Sequence, residues 1–235
     1  MAEGREPLPP PGRSGILVTD VSVSSRALYD LPLTQRQWVR RGELLEAARR
    51  VFERDGYHAA TVSAIVQAVG LSQGAFYLYF PDKKAVFAAL QEEMATLLRR
   101  RIYWATRDER DPAQRLEAGL RAYFEYYDEY RAWNRRLAIE GLGIDDSFEA
   151  RQTRLYETLA GGFAPTLTEL GVLNPEIAAA ALIGMAAQVA YWQYYQRLQP
   201  LALSPSTLAT ACASLFLNGA ASIPSPSSSE GGPHA

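Results

Sequence analysis

The 235-residue chain has one cysteine, Cys212, and two histidines, His58 and His234. A single thiol excludes an internal disulfide, and so few Cys and His residues leave no cluster at metal-ligand spacing. No run of 18 or more apolar residues exists to span a membrane, and the opening MAEGREPLPPPGRSG carries proline and glycine where a signal peptide has its apolar core. The expected home is a reducing cytoplasm, with no metal and no cofactor. No segment alternates with period two for long enough to make a strand, and no internal repeat is visible. No phosphate loop or nucleophile–base spacing supports an enzyme.

What the sequence does contain is helical pattern. At 48% hydrophobic residues the chain can bury a core, as one large domain or two small ones. Residues 1–33 mix Pro, Gly and Ser without a sustained period and read as a disordered arm, and the low-complexity stretch 222–235 reads as a disordered tail. Between them, three helix starts share one form, a capping residue followed by proline: Asp111-Pro112, Asn174-Pro175 and Ser204-Pro205. Other helices are expected at about 35–55, 62–69, 72–79, 83–107, 134–140 and 147–170. Gly161-Gly162 and Pro165 predict a break or kink in the last of these, because proline removes a hydrogen bond and collides with the preceding turn.

The net charge of −2 argues against a nucleic-acid partner, yet residues 34–84 hold eight Arg or Lys against five Asp or Glu, a local excess of +3. This stretch also holds the most specific motif, TVSAIVQAVGLSQGAFYLYFPDKKAVF, from Thr61 to Phe87. Val62, Ile65, Val66 and Val69 give a short helix an apolar face, and Gly70 permits the left-handed turn that ends it. Ser72 is a good cap for a second short helix, on which Phe76 and Phe80 lie four apart and face inward. Gln73, Ala75, Tyr77 and Tyr79 are left for other surfaces. Small and polar residues at that helix's start let the backbone approach a major groove, where Gln can make a bidentate contact with adenine. Asp82 caps the next helix and places Lys83 where it can meet a phosphate.

With the helix ending in DGYHAATV before it, this motif resembles the DNA-binding domain of the tetracycline-repressor (TetR) family over about Arg40 to Leu90. Phe52, Gly56, Tyr57, Thr61, Ile65, Gly70, Ser72, Gly74, Phe76, Tyr77, Tyr79, Phe80 and Lys83 fall on the family pattern. Val66 and Val69 depart from it, standing where alanines are common, a bulk expected to widen the helix crossing. The resemblance implies an all-α fold, with an N-terminal three-helix helix-turn-helix domain over 34–84 and a helical ligand-binding and dimerisation domain over 85–221. It also implies a dimeric regulator, usually a repressor, on a palindromic operator. It puts Thr61 and Lys83 on phosphates, Ser72, Gln73, Gly74, Ala75 and Tyr77 at the recognition helix, and Tyr79 at the DNA backbone.

The C-terminal region is rich in aromatic residues, which with polar tips suit a pocket or an interface. Trp104, Tyr123, Tyr127, Gln188 and Trp192 are candidates for binding an apolar or aromatic small-molecule effector. The small residues from Ala178 to Ala187 make the helix over 175–199, with that over 205–217, the candidate half of a four-helix homodimer interface. The alternative is a C-terminal domain that binds a partner protein or no ligand.

Overall fold

The computed structural model describes residues 34–140, 146–196 and 203–220. Nine α-helices account for nearly all of them, with no strand among the described residues. The expected arm over 1–33, the expected tail over 222–235 and the end of the expected helix over 175–199 lie outside the described residues.

Helix α1 (Gln35–Ala59) begins with a capping box: Thr34 Oγ1 accepts from the Gln37 N–H, and the Gln37 side chain accepts from the Thr34 N–H at 2.8 Å. Leu44, Leu45, Ala48, Val51 and Phe52 bury its inner face. Gly56, at φ +80°, interrupts the helix close to the expected end at residue 55. Helix α2 (Val62–Gln67) starts at Thr61, whose Oγ1 accepts from the Ala64 N–H at 3.1 Å. It ends in a Schellman turn around Gly70 (φ +65°), with Leu71 N–H bonded to the Val66 carbonyl and Gly70 N–H to that of Gln67. Helix α3 (Gln73–Tyr77) follows, capped by Ser72 Oγ on the Ala75 N–H at 3.2 Å.

Helix α4 (Lys83–Thr106) is capped by Asp82 at 2.7 Å, and α5 (Pro112–Glu129) by Asp111, which accepts from two backbone N–H groups. Then come α6 (Arg131–Glu140), α7 (Asp146–Glu169), α8 (Pro175–Tyr191) with a π-helical turn over Trp192–Gln196, and α9 (Pro205–Ala220). Helix α5 packs against α4 and α9, while α7 pairs with α8. Phe87 of α4 joins head to body, its ring within 5.3 Å of Phe52 in α1, Trp133 in α6 and Phe148 in α7. The hydrophobic core is therefore continuous across the boundary expected at residues 84 and 85.

Two local expectations are overturned. Helix α7 runs unbroken through Gly161, Gly162 and Pro165. Pro165 gives up one hydrogen bond, to the Gly161 carbonyl, and the helix continues past it to Glu169. Asn174 makes no side-chain cap; it takes the left-handed conformation (φ +53°) itself, and α8 starts without that bond. Ser204 does cap α9, accepting from the Thr207 N–H at 3.1 Å.

Candidate nucleic-acid interface

The second short helix is anchored by Phe76 and Phe80, both fully buried, with ring centroids 5.8 Å apart. Burying two such rings contributes roughly 1.5–3 kcal/mol each, so α3 is held rigidly by its inner face. On its outer face Gln73, Gly74 and Tyr77 are exposed and Ala75 is half-buried, with Tyr77 at 52% exposure. Leu78 beside it is 71% exposed, an apolar contact candidate that sequence pattern did not single out. Thr61 and Ser72 are both exposed and spend only an oxygen lone pair on their caps. Each keeps a hydroxyl proton to give to a phosphate oxygen.

Two predicted contacts sit differently. Tyr79 is only 9% exposed and belongs to the core of the head, so it does not stand out toward a DNA backbone. Lys83 turns inward: its Nζ donates to the carbonyls of Tyr57 (2.6 Å), Ala60 (2.9 Å) and His58 (3.2 Å) and lies 4.5 Å from the Tyr57 ring centroid. Those three carbonyls end the turn after Gly56 and would otherwise lack donors. Partial burial lowers the Lys83 pKa from its ordinary value. The ammonium is committed to the fold rather than presented to a phosphate.

Half of the head's eight basic residues are ion-paired within it. Arg40 pairs with Glu43, Arg49 with Glu46 and Glu53, Arg50 with Glu46, and Arg54 with Asp55. Arg41 is buried, its guanidinium 4.8 Å from the Phe80 ring centroid. Arg36, at the start of α1, is exposed. The four paired arginines and their four carboxylates cancel, so the excess of +3 rests on Arg36, Arg41, Lys83 and Lys84 against Asp82, and of these cations Arg41 and Lys83 are held inside the head.

The five residues proposed for an effector do not form one site. Tyr123 and Tyr127 are buried and stacked on one another with centroids 4.5 Å apart; burial raises the pKa of both hydroxyls, keeping them protonated. Trp104, on α4, packs on Tyr103 and Arg107, and Trp192 is 38% exposed on the π-helical turn. Only Gln188 reaches the large cavity, a groove of about 1280 Å³ between α7 and α8. Its floor includes Gln91 of α4, Leu137 of α6, Phe148 of α7 and Ile183 of α8. The aromatic surplus was filled with core, as a single packed interior requires. The groove is walled by small residues such as Ala160, Gly161, Ala180 and Gly184, with Tyr156 and Tyr191 beside them.

Among the described residues no group of three His, Cys, Asp or Glu side chains is placed to hold a metal, and no helix is long and apolar enough to cross a membrane.

The family model for bacterial regulatory proteins of the tetR family matches residues 44–90. The chain is 32% identical over 116 residues to the transcriptional activator FasR of Mycolicibacterium smegmatis, an alignment covering 49% of this chain and 52% of that protein. It is 44% identical over 71 residues to the transcriptional repressor AcnR of Corynebacterium efficiens, covering 30% and 35% respectively. The chain thus spans about half or less of the length of these curated relatives. Among solved structures, the fatty acid degradation regulator FadR from Bacillus halodurans superposes with a TM-score of 0.66 at 20% identity, covering 77% of this chain and 95% of that one. A TetR/AcrR-family regulator from Thermobifida fusca superposes with a TM-score of 0.57 at 21% identity, covering 77% and 98%. These structural likenesses establish the fold. The relatives and neighbours named are regulators, not enzymes.

Proposed function

We propose that the chain is a TetR-family regulator, a sequence-specific DNA-binding transcriptional regulator acting in the cytoplasm. The observation that carries this reading is the outer face of α3. Gln73, Gly74 and Tyr77 stand exposed on a helix too short to pack by itself, fixed from behind by Phe76 and Phe80. Such a face suits a major groove, with Gln73 reading a base edge and the Thr61 and Ser72 hydroxyls setting register on phosphates.

One three-helix head offers a small readout, so the regulator acts as a homodimer on a two-fold symmetric operator. Helices α8 and α9 carry large apolar side chains that the single chain leaves exposed, Ile177 and Leu215, and these support a dimer contact through that pair. Repression is the reading that AcnR supports; FasR, an activator, is the relative that argues the other way. The effector reading rests on the α7–α8 groove. Leu137 lines that groove from α6, the helix whose Arg136 and Glu140 hold the end of α1, so an occupant that shifts α6 shifts the head.

Selection of bound duplexes from a random library, followed by footprinting, tests the proposal. A symmetric pair of protected half-sites is expected; a library that yields no enriched sequence, or a monomer on one unsymmetrical half-site, defeats it.

A further inference from the structure

The groove between α7 and α8 is walled by acceptors. Glu149 and Glu157 of α7 and Glu176 of α8 line it, and among the described residues no Arg, Lys or His does. Glu149 and Glu176 lie in the first turns of their helices, where the helix dipole offsets their charge, but Glu157 lies in mid-helix without that help. The basic residues of α7 turn away: Arg151 and Arg154 line a smaller cavity behind, where Arg151 Nη1 donates to the Ser147 carbonyl at 2.8 Å.

A second observation points the same way from the floor. Gln91 is 7% exposed and lines both the groove and the smaller cavity, and its Oε1 is enclosed without a hydrogen-bond partner among the described residues. An enclosed acceptor left unmet is costly, so the site gains most from an occupant that brings a donor. The Gly161 carbonyl is a further acceptor, because Pro165 has no N–H to return to it, and both residues line the groove. Between these acceptors lie the half-buried Leu137, Tyr156 and Tyr191, with Phe148 and Ile183 buried beneath.

We propose that this groove binds an organic cation with an apolar body, its charge held by Glu157 and its body lying on Leu137, Tyr156 and Tyr191. A carboxylate- or phosphate-bearing molecule meets repulsion from three carboxylates and no compensating cation. A second copy of this chain fits no better, since a two-fold contact sets the same acidic patch against itself. The proposal rests on the effector reading only for its consequence at the operator; binding to the groove is a separate matter.

Calorimetry on the full chain without DNA uses tetraphenylphosphonium and tetraphenylborate, which share a shape and differ in sign. The cation is expected to bind, more weakly as salt rises. Glu157→Gln is expected to weaken it roughly 2- to 5-fold, the range for a partly exposed charge pair, and combined Glu149→Gln, Glu157→Gln and Glu176→Gln further. Equal binding of the anion, or cation binding untouched by the triple replacement, overturns the proposal. Gly184→Leu, at a helix position with open space for a side chain, is expected to block the cation without lowering Tm or changing the sedimentation coefficient. A shift from dimer to monomer in that variant would instead make the groove a contact between copies and overturn the proposal. If the cation binds but leaves operator affinity unchanged, the site stands and the effector reading alone falls.

Discussion

The Glu140 carboxylate accepts a 2.6 Å hydrogen bond from the backbone N–H of Tyr57, 83 residues earlier in the chain. Gly56, at φ +80°, breaks α1 just before that N–H and leaves it without its helical acceptor. Arg136, one turn before Glu140, completes the accounting. It donates to the carbonyls of Glu53 and Arg54 at 3.2 Å and to Glu140 itself at 2.7 Å. Helix α6 thus closes the end of α1 in both hydrogen-bonding senses.

Removing Glu140 should therefore destabilise the whole chain. Glu140→Ala leaves the part-buried Tyr57 N–H without its acceptor and takes one of the three acceptors of Arg136, at a cost of about 1–3 kcal/mol in urea denaturation. Gly56→Ala is strained at its φ, and its new Cβ would sit 2.8 Å from the Glu140 carboxylate oxygens. Its cost should be smaller in the Glu140→Ala background, by the part due to that contact. Strictly additive losses would mean that the two residues do not interact.

Lys83→Ala separates a structural lysine from a phosphate ligand. With three carbonyls losing their donor, Tm should fall clearly, while the log–log salt dependence of operator binding changes by less than the ~1 unit expected for a lost phosphate contact. An unchanged Tm with a full unit lost from the slope would return Lys83 to the DNA.

Gln73→Ala is expected to behave in the opposite way. The side chain is exposed, so stability should move by no more than about 0.5 kcal/mol. Discrimination at one base pair per half-site should drop by about 1–3 kcal/mol in competition binding with altered operators. Phe76→Ala is the contrasting control, costing about 3–5 kcal/mol of stability by emptying the core of the head. Equal loss of affinity on every sequence for Gln73→Ala would reject base readout by this residue.

Stability should also depend on Glu93. Burial raises its pKa from the ordinary 4.5 to about 7, against the opposing pull of Arg41 and with the help of Glu46. Its Oε2 is enclosed without a hydrogen-bond partner among the described residues. The folded state therefore holds this proton longer than the unfolded state. The sign follows: stability is greatest below about pH 4.5 for this group, falls as pH rises toward 7, and carries a constant penalty above. Glu93→Gln should flatten that part of the profile and raise stability at pH 8 by on the order of 1–3 kcal/mol. A steeper profile in the variant would show that another group is responsible.

The sequence by itself determined what depends on near neighbours in the chain. The short helices around Gly70, the caps at Ser72, Asp82 and Asp111, and the inward Phe76 and Phe80 were legible because each rests on residues within about one turn. The family pattern lies in that same stretch, and with it the exposed face of Gln73 and Tyr77. What only the tertiary structure decided are relationships across long separations, where side-chain direction and not residue type sets the role. The Lys83 ammonium has its acceptors 23 to 26 residues upstream, which makes it a cap for α1. Tyr123 and Tyr127 became core because α5 is enclosed by its neighbours, while α7 and α8 meet through alanine and glycine and so leave their shared face open. Residue volume explains the reversal: large rings fill the space they line, and small residues leave it empty.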